Sequence, residues 1–553
     1  MIKLKQLLLV VTLLVSAQSY GTYQNKKSID ETEKIFLTAK VWGFLKYYHP
    51  SVASGNYNWD EVFYRWVKEV HMIDSADQLS DYLLDEIKLL GEIEACKKCR
   101  KPSKEIYFEK NFDLSWISDS SNFSSDLIEQ LLHIEANRFI KDQYYVEPDY
   151  AQHVKFINEP DYSGELWVKE EFRLLTLIKF WNAVEYFYPY KYLIDEKWDN
   201  VLKEMIPRFM DVTDELKFHL LIRELTIKID DSHAFFRSPK LKEFFGEKQF
   251  PFNYTFVDDQ VVITHLLDDS LARINDFQVG DVILEIDGER VLTKYEQTKK
   301  YYNGSNELTK RNYSFVGLLR GHTDQVSMTY ERGGVISTKT VNRYSRSEIS
   351  FNYPEKPLWK KINEHIGYVD VTSLTEKNLD EVMESLFEMK SIIFDVRGYP
   401  EFILYELAKY TLNEPVEFFR AIRPDYTYPG KFIWRDTFTI GKRNKNAYSG
   451  KVIILINEDT QSLAEFTAMS LQAVENSITV GHQTSAANGD VSTYTFFDEC
   501  TTWISGLGAY YHNMDQTQRI GLKVDVEVYE TLEGIREGRD ELLEKAIQVA
   551  QKN

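Results

Sequence analysis

Apolar residues gather in short unbroken runs in the last third of the chain and at helical spacing elsewhere. Val452, Ile453, Ile454, Leu455 and Ile456 follow one another, which predicts a strand over 451–457 buried on both faces. Leu463, Phe466, Ala468, Leu471 and Val474 then recur at roughly helical spacing, and Ile478, Thr479 and Val480 open another strand, so 451–484 is predicted as a βαβ unit. Strands over 366–371 and 391–396, an amphipathic helix over 379–389, and a final helix over 539–551 with Leu542, Leu543, Ala546, Ile547 and Val549 on one side complete the alternation. That order predicts an α/β layer fold for residues 346–553.

The first half is organised by a repeat. Trp42, Pro50 and Trp59 recur as Trp181, Pro189 and Trp198 at an offset of 139, with AKVWGFLKYYHP matching IKFWNAVEYFYP. Both copies read as helical hairpins whose aromatic stripes are packing surfaces. They span 24–115 and 165–240, with a polar connector at 116–164 that carries one short helix near 126–139. The second copy runs on into Asp231-Ser232-His233, where the first has Glu92-Ile93-Glu94. A histidine gained at the end of one copy is what a site on a duplicated scaffold would look like, although a single histidine is more often structural.

Residues 241–345 form a β-rich stretch. A tight turn at Val279-Gly280-Asp281 feeds a strand that ends at Asp287-Gly288, a hairpin signal.

Composition adds the setting. The chain has 553 residues, a hydrophobic fraction of 43% and a net charge of −20. It can bury real cores, and its acidity argues against nucleic acid and anionic lipid as partners. Lys3 and Lys5 precede an apolar stretch over 7–15 and small residues at 16–19. This is the pattern of a signal peptide over 1–20, predicting a periplasmic or secreted protein without stable membrane insertion. Cys96 and Cys99 could pair after export, leaving Cys500 alone; neither a redox motif context nor a zinc ligand set accompanies them.

The candidate chemistry centres on Ser462, placed where a strand ends and a helix begins. Free N–H groups and the helix dipole there favour developing negative charge. The same Ser462-Leu463-Ala464-Glu465 also fits a capping box, a purely structural role.

Four stretches, in their order along the chain, carry a resemblance. They are Asp231-Ser232-His233, Phe394-Asp395-Val396-Arg397-Gly398, Thr460-Gln461-Ser462-Leu463-Ala464-Glu465, and the tail from Ile520-Gly521 through Asp525 to Asp540. Together they resemble the C-terminal-processing and tricorn-type serine peptidases, and the duplicated N-terminal part resembles secreted bacterial relatives of that family. Residues 274–288 resemble the second half of a PDZ domain of the bacterial protease type. The resemblance implies a multidomain α/β protein with a ClpP/crotonase-like core, Ser462 as nucleophile, and oxyanion donors at the Gly398 and Leu463 N–H groups. It also implies a PDZ-like module that engages a peptide or protein substrate, and acyl-enzyme chemistry with no metal or cofactor. No lysine occurs between Lys451 and Lys523, which excludes the lysine-activated branch. The histidine-dependent branch matches His233 as base and Ser232 as auxiliary serine. At the place of its acidic orienter stands Gln518, with Glu527 nearby, and His482 and His512 are rival bases. Tyr399-Pro400 replaces an expected glycine-rich run, Val524 stands where a proline is expected before Asp525, and Asp498-Glu499-Cys500 replaces a proline-glycine turn. A binder of small apolar ligands and a peptide-holding scaffold are the two non-enzymatic classes compatible with the same fold. The sequence leaves the oligomeric state open.

Overall fold

The computed structural model describes residues 28–552 apart from Arg100, Pro102, Glu165 and Pro354. The expected signal peptide lies outside the described residues. The chain divides into two compact units, one comprising residues up to 101 with 113–139, the other 102–112 with 140–553.

The first unit is helical: α1 (Glu31–Tyr48), α2 (Trp59–Val70), α3 (Ala76–Leu89) and α4 (Ser125–Ala136). Asp30, Asn58, Ser75 and Ser124 each cap the helix that follows by accepting a first-turn N–H. Trp42 and Trp59 stack at 6.2 Å, and each indole N–H donates to the other residue's carbonyl at 3.0 Å. Residues 116–139, expected within a connector, pack in this unit because Ile117, Phe123, Leu127, Leu131 and Ile134 are all buried. Cys96 and Cys99 are disulfide-bonded.

The second unit opens with the other copy, α5 (Glu170–Phe187), α6 (Trp198–Asp211) and α7 (Glu215–Ile227). Trp181 and Trp198 repeat the reciprocal exchange at 2.8 and 3.0 Å. The duplication thus extends from the sequence to a pair of hydrogen bonds. Beyond α7 the copies part: Asp231, Ser232 and His233 are buried, whereas Glu92 and Glu94 are exposed.

Next comes an antiparallel sheet of β1 (Phe252–Val257), β2 (Gln260–Leu266), β3 (Val282–Ile286), β4 (Gln325–Arg332) and β5 (Val335–Asn342), in that spatial order. Asp287 and Gly288 turn the chain with φ of 51° and 79°, the left-handed pair that a two-residue hairpin needs. Between β3 and β4 lie α8 (Val291–Thr298) and α9 (Glu307–Asn312).

The last sheet runs β6 (Trp359–Lys361), β7 (Ile366–Asp370), β8 (Ser391–Asp395), β9 (Lys451–Ile456), β10 (Ser477–Gly481) and β11 (Val526–Glu527). All neighbours from β7 onward are parallel, and only β6 is antiparallel. The unbroken apolar run of β9 now has its reason. Val452, Ile454 and Ile456 pack with α10 (Leu379–Leu386), α11 (Leu404–Thr411) and α12 (Leu463–Gln472), while Ile453 and Leu455 pack with α13 (Glu541–Gln551) on the other face. At roughly 1.5–3 kcal/mol for each fully buried aliphatic side chain, β9 anchors the loop that follows it. That loop carries Ser462.

Candidate active site

Parallel strands place their carboxyl ends on one edge, where ligands of α/β sheets gather. Here Gly398 follows β8, Ser462 follows β9, and residues 482–488 follow β10. Thr460 Oγ1 donates to the Val396 carbonyl at 2.9 Å, and Val396 N–H to the Leu455 carbonyl at 2.9 Å, which locks the first two loops together.

Ser462 takes φ 56° and ψ −117° at the N-cap of α12. A non-glycine residue pays about 1–3 kcal/mol for such a conformation, and it persists only where the surroundings enforce it. Two acceptors enforce it: Ser462 N–H reaches the Ala487 carbonyl at 3.0 Å and Glu465 Oε2 at 3.3 Å. Asp230, Ala486 and Arg519 also have positive φ, and they join the same network. Arg519 N–H donates to the Ala486 carbonyl at 3.1 Å, and its guanidinium meets Asp230 at 3.1 Å. Leu463 opens α12, so its N–H has no helical acceptor; among the described residues neither this N–H nor that of Gly398 donates to a protein group. Arg397 fixes the Gly398 corner by pairing with both Asp395 oxygens at 2.9 Å and with Asp540 at 2.7 and 2.8 Å.

The Asp231-Ser232-His233 loop reaches the same hub from the helical side. Ser232 Oγ donates to the Ser485 carbonyl at 2.7 Å, and Ser485 N–H donates to the Thr460 carbonyl at 3.1 Å. The Ser462 and His233 loops therefore grip one segment, 484–487. The His233 imidazole is 8% exposed, with Nδ1 3.0 Å from Ser505 Oγ and 3.5 Å from Asp231 Oδ1. Its Nε2 is buried without a protein partner, so no hydrogen bond from Ser462 Oγ reaches it in this state. Such bonds are often long without substrate and tighten when it binds.

Position 518 is occupied differently from the expectation of an orienter. Gln518 is fully buried, and its amide N–H₂ meets Asp231 Oδ1 at 3.5 Å and Ser305 Oγ at 3.2 Å. Of the rival bases, His482 is committed elsewhere, with Nδ1 on the Val528 carbonyl and Nε2 on Glu458, and His512 is exposed. Glu527 accepts the Tyr529 hydroxyl.

Two contributors were not foreseen from the sequence, and a third, Glu465, was read there only as the capping partner of Ser462. The segment between α8 and the end of α9 enters the site: Asn303 donates to the Ser232 carbonyl, Ser305 exchanges two bonds with Ser232, and Asn306 donates to the Thr484 carbonyl, all at 2.7–2.9 Å. The hairpin of Val491–Phe497 and Cys500–Ser505 brings Ser505 against His233, with Asp498-Glu499 as its turn. Glu465 is fully buried and its carboxyl is pushed up to about 7 by that burial, against the hydrogen bonds and the His233 charge that pull it down. A second serine–histidine–aspartate grouping, with Ser492 Oγ 3.1 Å from His153 Nδ1 and His153 Nε2 3.5 Å from Asp149, lacks the strand-to-helix corner, Ser492 being buried within a strand.

Residues 365–528 match the family model for peptidase family S41. Among solved structures, mature CPAF complexed with lactacystin aligns with a TM-score of 0.54 at 14% identity, covering 70% of this chain and 98% of that one. Mature CPAF alone gives 0.54 at 13%, covering 70% and 97%. At such identities the likeness is one of fold. No curated protein matches the chain by sequence. The serine corner and the parallel strands β7 to β11 lie within residues 365–528, the stretch that matches the model for peptidase family S41, and that match supports a serine-type peptidase.

Proposed function

We propose that the protein is an exported serine peptidase that cleaves peptide bonds through an acyl-enzyme on Ser462, with His233 as base. The observation that carries this reading is the strained Ser462 at the helix N-terminus, joined through segment 484–487 to a histidine whose Nε2 is free.

Ser462 Oγ attacks the scissile carbonyl carbon while its proton passes to His233 Nε2. The carbonyl oxygen becomes an oxyanion that accepts the Gly398 and Leu463 N–H groups. One such donor is worth about 3–4 kcal/mol of barrier. Collapse breaks the C–N bond, and the amine leaves with the proton from Nε2. Water, deprotonated by the same nitrogen, then hydrolyses the ester and restores Ser462. Ser232, whose hydroxyl donates to Ser485 and accepts from Ser305, supports the base as an auxiliary residue by fixing its loop.

The β-rich module is read as PDZ-like and as the part that engages substrate. Its edge strand β1 contributes Phe252 and Tyr254 to a cavity of about 420 Å³ that also holds Phe315, Arg320 and Arg346. An extended peptide added at β1 would place a terminal carboxylate near those arginines. Export rests on the N-terminal signal pattern; among the described residues no helix is long and apolar enough to cross a membrane.

Incubation of the purified protein with an unfolded protein such as reduced casein tests the reading. New peptide N-termini that vanish with Ser462→Ala are expected; wild-type inactivity, or equal activity in Ser462→Ala, contradicts it.

A further inference from the structure

A histidine that takes a proton on Nε2 must already hold one on Nδ1, and something must fix that tautomer. Two acceptors face His233 Nδ1: Ser505 Oγ at 3.0 Å and Asp231 Oδ1 at 3.5 Å. They are themselves joined, since Ser505 N–H donates to Asp231 Oδ2 at 2.7 Å. Asp231 Oδ1 also accepts His233 N–H at 3.0 Å, so the carboxylate holds the backbone of the residue it would orient and lies 3.5 Å from its ring nitrogen. Its side chain has no solvent exposure. Burial works against the charge, but His233 and the His233 and Ser505 N–H groups outweigh it and hold the carboxyl below the usual range.

Gln518 completes the arrangement. Its amide must present N–H₂ to Asp231, because an oxygen there would face a carboxylate. A glutamate at 518 would set two buried carboxylates about 3.5 Å apart, and such pairs do not both ionise. The neutral amide lets Asp231 stay charged.

We infer that Asp231 and Ser505 are the positioning residues that hold the His233 imidazole with its proton on Nδ1, and that Gln518 keeps Asp231 the lone carboxylate against that nitrogen. This rests on the reading of Ser462 and His233 as nucleophile and base. The orienting acid is then the first residue of the Asp-Ser-His motif itself. Other titratable groups face the pair: Tyr188, Tyr190 and Tyr313 around Asp231, and Glu465 toward His233.

The test is the rate of fluorophosphonate labelling at Ser462 against pH, for wild type, Asp231→Asn, Ser505→Ala and Gln518→Glu, with a thermal melt of each. Asp231→Asn is expected to slow labelling by about 10²–10⁴-fold, as loss of the orienting acid does in a serine triad. It should also change the acid limb of the profile, which a fold defect alone would leave in place. Ser505→Ala, which keeps the backbone bond to Asp231, should slow labelling about tenfold if it follows the usual weight of one neutral hydrogen bond. Gln518→Glu should be slower than wild type at neutral pH. Wild-type labelling with Asp231→Asn unchanged in rate and limb, or Gln518→Glu faster than wild type, overturns the pair and returns the orienting place to 518. Absence of labelling in folded wild type overturns the nucleophile itself, and the pair with it.

Discussion

Glu465 accepts the backbone N–H of Ser462 with the same oxygen, Oε2, that accepts the N–H of Ala487 at 3.1 Å, while Oε1 accepts the Thr484 hydroxyl at 2.5 Å. One buried acid thereby ties the nucleophile's corner to the 484–487 segment on which the His233 loop also rests. The serine sits at a helix start with the glutamate of a capping box, yet the glutamate's bonds reach beyond the helix it caps.

That acid gives the protein a pH-dependent stability. Its folded value of about 7 exceeds the ordinary 4.5, so the native state binds the proton more tightly than the unfolded chain. The stabilisation is fully present below about pH 4.5 and is lost as pH rises through about 7, on the order of 3 kcal/mol in all. Glu465→Gln mimics the protonated form, with its oxygen accepting both N–H groups and its amide donating to Thr484. Thermal melts followed by circular dichroism should show wild type losing stability relative to Glu465→Gln between about pH 5 and pH 8. A difference constant across that range contradicts this account.

The Gly398 corner has no room for a side chain. A Cβ there would lie 2.6 Å from Thr372 Cγ2. Gly398→Ala should displace the N–H proposed as oxyanion donor and slow hydrolysis about 10²-fold. Thr372→Ser removes the offending methyl and keeps the hydroxyl that donates to Asp370 at 2.7 Å. The double variant should therefore recover much of the loss, which steady-state kcat/KM measures directly. Failure to recover would mean that the glycine serves another purpose.

The duplicated tryptophans are a stability device within each helical copy. Trp181→Phe removes the 2.8 Å bond to the Trp198 carbonyl in a fully buried site and should cost about 1–3 kcal/mol. Denaturant unfolding should register that cost while the folded fraction still labels at Ser462. Loss of labelling in well-folded Trp181→Phe would tie the repeat to the site.

Much of the fold was legible because it is encoded locally. The run 452–456 fills both faces of β9, the Asp287-Gly288 pair makes its turn, and the tryptophan offset survives as matching hydrogen bonds. The Ser462 and His233 loops could be found by motif. The partners that give them meaning could not, since Ser505 meets Asp231 across 274 positions and Ser305 meets Gln518 across 213. Polar bonds of that reach leave no periodic trace in a sequence. The packing of 116–139 was missed for a related reason: its buried residues are few and widely spaced among polar ones.

The most direct test of the central claim is mass spectrometry of the protein after reaction with a fluorophosphonate probe, beside Ser462→Ala and His233→Ala. The account predicts a single adduct on Ser462, absent in the first variant and strongly slowed in the second. An unlabelled but folded wild type, with or without added peptide, or labelling that ignores His233, would contradict it.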